Sequence, residues 1–472
     1  MIMKRIMILS TMLVAACTSP SYPGVDRPNS GGNSSVDREV IDYIDQRLEA
    51  EYYWLDEVAK KCNSFDRGVA WEDYLGNVLL RLTTNTDDGY LTSKGQRVLY
   101  SYIRELPAST RTETMGFGID LHTTIVIIDK ENSYYGFVVD NVFEGSPAME
   151  GGVRRGDVIV KVDNNYITPN NYLTLFNSIY QNKLSNIRLQ VRRQYTPEGD
   201  QESYAVELTA AAYKECTVAH SEIIEGVKRV GYLVYTGFDT SSDIELVEAL
   251  AHFASEGITE VVLDLRINSG GSLSSALKLT STLLPASYEG SVLCEARRNP
   301  KNKRAETSEL FKLQAMEFNL GIDHLTVIVS DNSASASELV IMGLRGLDIP
   351  VTLVGSTTQG KNCGMDVTRR TIGSLYLEYA PITFMCLDAK GFGDWGDGIG
   401  VDIEVVEYDK LYPIPYVPWG SSYAAQDAAL RCALESIGYD FEDATRGDAT
   451  EREAWDAATT LVEPIEGIRL YE

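Results

Sequence analysis

Two short stretches of the chain carry side chains that could make and break covalent bonds. Residues 330–344 read SDNSASASELVIMGL, with four serines within eight positions, directly after an apolar run and directly before a helix-like one. Residues 355–361 read GSTTQGK and end on Lys361. A serine hydroxyl becomes an effective nucleophile when a neighbouring base takes its proton. The two stretches therefore raise the question of an acyl-transfer site.

The elements that flank the serines predict where they lie. Residues 325–329 read LTVIV, a buried strand, and the apolar pattern from Ala336 predicts a helix, so the serines fall at a strand-to-helix turn. The free N–H groups of a first helical turn stabilise negative charge. An N-cap serine occupies the same position for purely structural reasons, so position alone does not separate the two roles.

Lys361 is the better candidate for the base. The four histidines, at positions 122, 220, 252 and 324, lie near no comparable turn, which gives a Ser-His-Asp triad little support. Lys361 follows the strand predicted at 350–354, and parallel neighbouring strands bring their C-terminal loops to one edge of a sheet. A lysine acts as a base only when neutral, so burial must lower its pKa from about 10.4 towards about 7–8.

The wider pattern predicts a multidomain α/β protein. Strands and helices alternate through residues 205–440, which indicates a core with a mostly parallel sheet. Within it, Ser242 and Glu245 have the spacing of a capping box, and residues 366–372 and 375–385 resemble an antiparallel hairpin. Residues 441–472 are predicted to be a peripheral C-terminal segment.

Two further units precede this core. Residues 36–108 contain amphipathic patterns, one from Val36 and one at 71–82, that predict a helical N-terminal domain with Ser34 or Ser35 as its cap. Residues 110–200 contain short β-branched runs between Gly, Asn and Asp turns, which predict a β-rich domain.

Composition excludes one class of partner. The formal net charge is −26, whereas phosphate binding by a nucleic-acid-binding protein needs a basic face, so no nucleic acid is expected. The chain contains no CxxC pair and no HExxH motif, so we expect neither a metal nor an organic cofactor. An exported chain could oxidise its cysteines, but their connectivity is not readable from the sequence.

The N-terminus predicts export. Lys4 and Arg5 precede a short apolar stretch, and residues 14–17 read VAAC, which resembles a bacterial lipoprotein signal. The prediction is a signal peptide at 1–16 and lipidation of Cys17, followed by a flexible tether over 17–35. A plain signal peptide with an incidental cysteine stays the alternative.

Residues 115–119 read MGFGI, and residues 145–159 read GSPAMEGGVRRGDVI. Together they resemble a PDZ domain. The resemblance implies a carboxylate-binding loop that binds a peptide C-terminus beside a strand edge, formed by Gly116, Phe117, Gly118 and Ile119. A PDZ domain that only gates or packs against its neighbour stays open.

Three blocks of the core, in this order, are similar to the C-terminal processing (tail-specific) proteases: VLDLRINSGG at 262–271, SASASE at 333–338 and GSTTQGK at 355–361. This resemblance implies a ClpP/crotonase-like fold in which Ser335 is the nucleophile and Lys361 the base. It further implies an oxyanion hole from the Ala336 N–H and one N–H of the Gly270–Gly271 turn.

The sequence departs from that family at one position. Many members have a glutamine four residues after the lysine that orients it, and this chain has Met365 there. Either Asn362 or Thr358 orients Lys361, or activity is reduced. Glu338 fits the motif, and a purely structural role, complementing the helix dipole from the first turn, stays open. Cys363 is expected to be a structural thiol, with a redox-sensitive thiol as the alternative.

The resulting functional prediction is a lipid-anchored endopeptidase of the bacterial cell envelope. It would cleave exported proteins without a cofactor, using the PDZ domain to recognise substrate C-termini or to gate the site. The alternative is a non-catalytic PDZ or ligand-binding lipoprotein with a decayed protease core.

Overall fold

The computed structural model describes residues 34–92, 95–106, 114–127, 133–168, 170–180, 185–193, 202–405, 408–409, 412–413 and 417–439. The predicted signal peptide, Cys17 and nearly all of the tether lie outside these ranges, as does the predicted C-terminal segment. None of the helices in the described ranges has the length and apolar character needed to cross a membrane.

Helices open the described chain. Ser34 caps the first of them: its hydroxyl accepts a hydrogen bond from the Asp37 N–H at 2.9 Å, and the Asp37 carboxylate accepts one from the Ser34 N–H. The predicted helix at 71–82 ends at Leu79, and a short helix before it was not predicted. The elements are α1 (Ser35–Glu51), α2 (Leu55–Lys61), α3 (Trp71–Leu79), β1 (Tyr90–Leu91), β2 (Arg97–Val98) and β3 (Tyr102–Glu105).

The β-rich domain follows. Its main sheet is antiparallel, in the order β10-β9-β7-β6-β5 with β8 beside β7, and β4 pairs with β11 in a two-stranded sheet. The elements are β4 (Thr114–Gly116), β5 (Ile119–Ile127), β6 (Ser133–Val142), α4 (Pro147–Glu150), β7 (Val158–Val162), β8 (Asn165–Tyr166), α5 (Tyr172–Tyr180), β9 (Asn186–Arg193), β10 (Glu202–Thr209) and β11 (Ala211–Tyr213).

The core is built on a six-stranded sheet in the order β12-β13-β14-β17-β18-β23, parallel except where β12 meets β13. This confirms the predicted mostly parallel sheet. The first part of the core, in chain order, comprises β12 (Val218–Ile224), β13 (Val230–Tyr235), α6 (Asp243–Ser255), β14 (Val261–Asp264), α7 (Leu273–Leu283), β15 (Val292–Arg298), β16 (Ser308–Lys312) and β17 (Leu325–Val329). Its second part comprises α8 (Ala336–Gly346), β18 (Val351–Gly355), β19 (Cys363–Met365), β20 (Thr368–Ile372), β21 (Leu375–Ala380), β22 (Ile382–Asp388), β23 (Ile403–Glu404), β24 (Tyr408–Asp409), β25 (Tyr412–Pro413) and α9 (Ala428–Ser436).

The predicted hairpin is only partly correct. Strands β20 and β21 pair antiparallel, but the second apolar run is two strands and not one. Pro381 separates them, because proline offers no N–H to a ladder. After it, β22 leaves the hairpin and pairs with β15 and β19 in a second antiparallel sheet.

The predicted capping box before α6 is wrong. Ser242 makes no side-chain hydrogen bond to the helix, and its hydroxyl accepts the Thr217 N–H at 3.1 Å instead. Asp239 caps the 3₁₀ turn that leads into α6, by accepting the Ser241 N–H.

The N-terminal helices share one hydrophobic core with strands β19 to β22. Strand β3 pairs antiparallel with β21, and buried side chains of α1 and α3 pack against β19 and β21. The shared core includes Ile41, Ile44, Leu48, Leu75, Leu79, Met365, Leu377 and Ile382. The N-terminal segment therefore forms one wall of the region that holds Lys361.

Candidate active site

Ser335 lies between β17 and α8, as the sequence predicts. Its φ is +57°, in a region that non-glycine residues adopt rarely, and its side chain is partly exposed. Such a backbone conformation costs free energy and persists only where the surroundings enforce it. The strained turn presents Ser335 at the edge of the sheet.

Hydrogen bonds of the neighbouring serines help to hold Ser335 in this conformation. The Ser333 hydroxyl donates to the Leu265 carbonyl at 2.8 Å, and the Ser337 hydroxyl donates to the Asn268 carbonyl at 2.9 Å. Both acceptors belong to the segment between β14 and α7. These two serines thus fasten the Ser335 turn to the Gly270–Gly271 turn.

Gly270 lies against Ser335. A methyl group on its Cα would fall 2.7 Å from Ser335 Cβ and 3.0 Å from the Ala336 nitrogen, so only glycine leaves that space open. The Gly270 N–H donates to Asn268 Oδ1 at 2.9 Å, so of the two N–H groups in this turn it is the one already hydrogen-bonded within the described chain. Among the described residues, the N–H groups of Gly271 and Ala336 are the predicted donors left without a recorded acceptor.

Lys361 is buried, with 3% of its surface exposed. Its nitrogen Nζ lies 4.9 Å from the centre of the Tyr100 ring. Tyr100 comes from the N-terminal segment, and nothing in its sequence spacing pointed to the site. The loop before Lys361 packs closely, since a methyl group on Gly360 would meet the Gly396 carbonyl oxygen at 2.3 Å.

Glu338 joins the nucleophile to the lysine loop. Its Oε2 accepts the N–H groups of both Ser335, at 2.9 Å, and Lys361, at 2.7 Å. Its Oε1 accepts the Gly360 N–H at 2.7 Å and the Thr358 hydroxyl at 2.6 Å. Glu338 therefore does more than complement the helix dipole, the structural role that the sequence left open.

The electrostatics of Glu338 follow from its burial. The residue is fully buried, which raises the pKa of its carboxyl above the usual value, while the four hydrogen bonds oppose that shift. All four partners are donors, so the arrangement is complete only when the carboxylate is ionised.

The two residues considered for orienting Lys361 make other bonds. The Thr358 hydroxyl donates to Glu338 and accepts the Ile399 N–H at 2.8 Å. The Asn362 amide donates to the Gly393 carbonyl at 2.7 Å. Met365, in the position of the family glutamine, is buried in the core shared with the N-terminal helices.

Cys363 is buried, and its thiol lies 3.5 Å from the Asp87 carbonyl oxygen. All six cysteines in the described ranges are free. In the same ranges no group of three or more His, Cys, Asp or Glu side chains could hold a metal ion.

The predicted carboxylate-binding loop lies between β4 and β5. Phe117 and Ile119 point into the core of the β-rich domain. Gly118 has a φ of +74°, and a methyl group there would lie 2.1 Å from Ser146 Cβ, so the turn requires glycine. Strand β5 is the edge of its sheet and pairs with β6 alone among the described strands. Its other edge is where a peptide strand would add.

A buried charged cluster connects the β-rich domain to the core, and it was not predicted from the sequence. Arg266 pairs with Asp264 at 2.6 Å and with Asp427 at 3.0 Å. The Trp419 ring lies beside Arg266 and stacks against Arg155 of the β-rich domain, whose guanidinium carbon is 3.5 Å from the ring centre. Burial opposes ionisation of Asp427, but the charges of Arg266 and Arg155 hold its pKa below the usual value.

Comparison with protein families assigns two parts of the chain. Residues 229–385 match the model of peptidase family S41, and residues 138–193 match a PDZ domain. The first match contains Ser335 and Lys361, and the second lies within the β-rich domain.

Comparison with individual proteins agrees with these matches. A Staphylococcus epidermidis protein named "Probable CtpA-like serine protease" is 23% identical over 443 residues, which cover 92% of this chain and 80% of that protein. A Staphylococcus haemolyticus protein of the same name is 23% identical over 354 residues, covering 73% of this chain and 66% of that protein, just under two thirds. The crystal structure of a Bacteroides fragilis protein named as an S41 protease has the same fold, with a TM-score of 0.67 at 23% identity, covering 84% of this chain and 96% of that one.

Proposed function

We propose, from the premise that the chain carries a peptidase family S41 domain and a PDZ domain, that it is a serine endopeptidase with Ser335 as nucleophile and Lys361 as general base. The observation that carries this proposal is the carboxylate of Glu338. One of its oxygen atoms accepts the N–H groups of both residues, and so fixes the strained serine relative to the lysine loop.

The chemistry follows the order of a Ser–Lys acyl transfer. Neutral Lys361 takes the proton of the Ser335 hydroxyl, and the oxygen bonds to the scissile carbonyl carbon. The N–H groups of Gly271 and Ala336 stabilise the negative oxygen that forms. Lys361 then returns the proton to the leaving amine, and a water molecule hydrolyses the acyl-enzyme.

The substrate is proposed to be a polypeptide with a free C-terminus. Its last residues would add to the edge of β5 that does not pair with β6, with the carboxylate at the loop of Gly116, Phe117, Gly118 and Ile119. A peptide with an amidated C-terminus should then compete much less well with an unfolded substrate than the same peptide with a free carboxylate. Equal competition would exclude this recognition mode.

A direct test of the chemistry uses an unfolded protein substrate and two matched variants. Ser335→Ala removes the nucleophile, whereas Lys361→Arg keeps the positive charge and cannot supply a neutral base. We expect the wild-type chain to produce fragments and both variants to lose activity by at least about 10³-fold. Equal or absent cleavage in all three would favour the non-catalytic alternative, and inhibition by a chelator would indicate a metal-dependent reaction.

The proposed location is the bacterial cell envelope, with the chain anchored through a lipid on Cys17 and acting on exported proteins. Expression of the full chain and of Cys17→Ser in a bacterium tests this. The wild-type chain should remain with the membrane fraction and partition into detergent, while Cys17→Ser should not. Identical partitioning of the two would exclude the lipid anchor.

A further inference from the structure

A cleft of about 450 Å³ lies between α1 and β20, and it is lined by four arginines. Arg47 comes from α1, Arg369 and Arg370 from β20, and Arg304 from the loop before β16. Gln46, Tyr43 and Thr368 add to its polar lining, and a 3.0 Å hydrogen bond joins the hydroxyls of Tyr43 and Thr368. None of these residues belongs to the Ser335 turn or to the Lys361 loop.

The positive charge of the cleft is only partly neutralised. Arg47 and Arg304 share one carboxylate, that of buried Glu51. Arg369 pairs with Glu378 at 2.8 Å, but Glu378 is also bound by Arg104 from outside the cleft. Because each carboxylate serves two arginines, neither pairing leaves its cations neutral.

Arg370 adds an uncompensated charge. It is exposed, and within the described part of the chain it makes no ion pair; its guanidinium carbon lies 5.3 Å from the centre of the Tyr43 ring. Arg47 lies 5.6 Å from the same ring centre. The tyrosine thus brings two arginines to one end of the cleft.

Arg47 also has unused hydrogen-bonding capacity. It is 6% exposed, and its Nη2 is buried without a hydrogen-bond partner among the described residues. Its Nε binds Glu51 and its Nη1 donates to the Tyr43 hydroxyl at 3.3 Å. A guanidinium that is both under-neutralised and short of an acceptor is better satisfied when an anion is present.

This concentration of arginines is notable because the chain as a whole has a net charge of −26. Like charges held side by side repel each other, and a tetrahedral oxyanion removes that repulsion while matching the planar donor fork of arginine. We propose that the cleft binds a phosphate monoester. The volume exceeds that of a phosphate group, so the remainder of the ligand also has room.

Phosphate monoesters reach such a cleft from two sources, a soluble metabolite or the head group of phosphatidic acid in a membrane. The experiment therefore uses the full chain with three probes: inorganic phosphate, glycerol 3-phosphate, and phosphatidylcholine vesicles with and without phosphatidic acid. Calorimetric titration measures the first two and vesicle sedimentation the third. Saturable binding of glycerol 3-phosphate without vesicle binding identifies a soluble ligand, and binding only to acidic vesicles identifies a head group.

Arg370→Gln is the decisive variant, because an exposed residue can be replaced without disturbing the core. We expect it to weaken binding about tenfold, the loss of one charge-assisted hydrogen bond. Arg188→Gln, which replaces an exposed arginine on the PDZ domain, should leave affinity unchanged. Absence of saturable binding by all three probes, or equal affinity in Arg370→Gln and wild type, would overturn the proposal whether or not the chain is a peptidase.

Discussion

Adding one methyl group at Gly270 should lower activity while the chain still folds. In Gly270→Ala the new carbon would lie 2.7 Å from Ser335 Cβ and 2.8 Å from the Ala334 carbonyl oxygen, at a φ of +104°. Ser335 must then shift away from the donors that face it. A displacement of this size should lower kcat about 100-fold, which steady-state hydrolysis of an unfolded substrate would measure.

The matched control for this substitution is Gly257→Ala. Gly257 also has a positive φ, +69°, but its new methyl group would have no neighbouring atom within 4 Å. We expect both variants to lose stability by about 1 kcal/mol for the backbone strain, and only Gly270→Ala to lose activity. Full activity in Gly270→Ala would show that its contact with Ser335 has no catalytic importance.

Glu338 is the second residue whose replacement should be informative. In Glu338→Gln one acceptor oxygen becomes an NH₂ donor facing N–H donors, so the bonds to Ser335 and Lys361 cannot all form. We expect kcat to fall about 100-fold with little change in KM, because the residue positions the catalytic groups and touches no substrate. Thr358→Val, which removes only one of the four bonds, should have a smaller effect in the same direction.

Lowering the pH should reduce kcat of the wild-type chain for the same reason as Glu338→Gln. Since burial raises the pKa of Glu338, the carboxylate takes up a proton at a higher pH than an ordinary glutamate. Protonation removes an acceptor that the four donors need, so wild-type kcat should fall as the pH drops through that range. Protonation of the base Lys361 already gives the profile one acidic limb, so Glu338→Gln should keep that limb and lose only the additional, steeper fall. A steeper fall that persists in the variant would belong to another group.

At the scale of single residues, the sequence predicts Ser335 and Lys361 as the catalytic pair, but it does not predict the residues that contact them. Ser335 and Lys361 belong to local motifs, whereas the role of Glu338 depends on a loop that begins 20 residues later at Thr358. Tyr100 reaches Lys361 from the far end of the chain. Such contacts depend on tertiary packing, which residue spacing does not encode.

Strands and helices were predictable where one hydrophobic period dominates. Strand β17 has the predicted bounds, because it is a continuous apolar run between polar turns. Strands β21 and β22 were predicted as one strand because the apolar residues continue across Pro381, where the chain passes from one sheet to another. The capping box predicted at Ser242 does not form because the Ser242 hydroxyl accepts a hydrogen bond from the Thr217 N–H instead.

Strand β5 carries a prediction about pH. Asp120, its second residue, has its pKa raised to about 7 by burial and by the nearby charges of Asp140 and Glu215, against a weak hydrogen bond from Asn141. The folded state therefore binds a proton more tightly than the unfolded state. The stabilisation is complete below the unfolded pKa of about 4 and is lost as the pH rises through about 7.

Asp120→Asn should remove this dependence. We expect the PDZ transition in differential scanning calorimetry to be more stable in the variant by about 1–2 kcal/mol at pH 8, with little difference at pH 5. Glu150→Gln, at an exposed position of the same domain, should leave the wild-type slope intact. An unchanged slope in Asp120→Asn would mean that Asp120 is ionised throughout this range.

The whole molecule is held together by two different kinds of interface. The N-terminal segment joins the core through apolar packing that continues the hydrophobic cluster of β19 and β21, with the β3–β21 ladder and hydrogen bonds such as Tyr43–Thr368 at its edge. The PDZ domain joins it through a buried cation, Arg155, on the face of Trp419. The order of the units was readable from their motifs, but these interfaces were not, because Trp419 and Arg155 carry no pairing signal across 264 positions.

The PDZ interface can be measured by a double-mutant cycle. Because Arg155 contacts the Trp419 ring in a desolvated setting, we expect the stability losses of Arg155→Ala and Trp419→Leu to be non-additive by about 1–2 kcal/mol in thermal unfolding. Within the PDZ domain, Lys161 lies 4.0 Å from the exposed Tyr166 ring, and that pair should couple by only about 0.5 kcal/mol. Additive losses for the first pair would mean that the PDZ domain is not docked on Trp419 in solution.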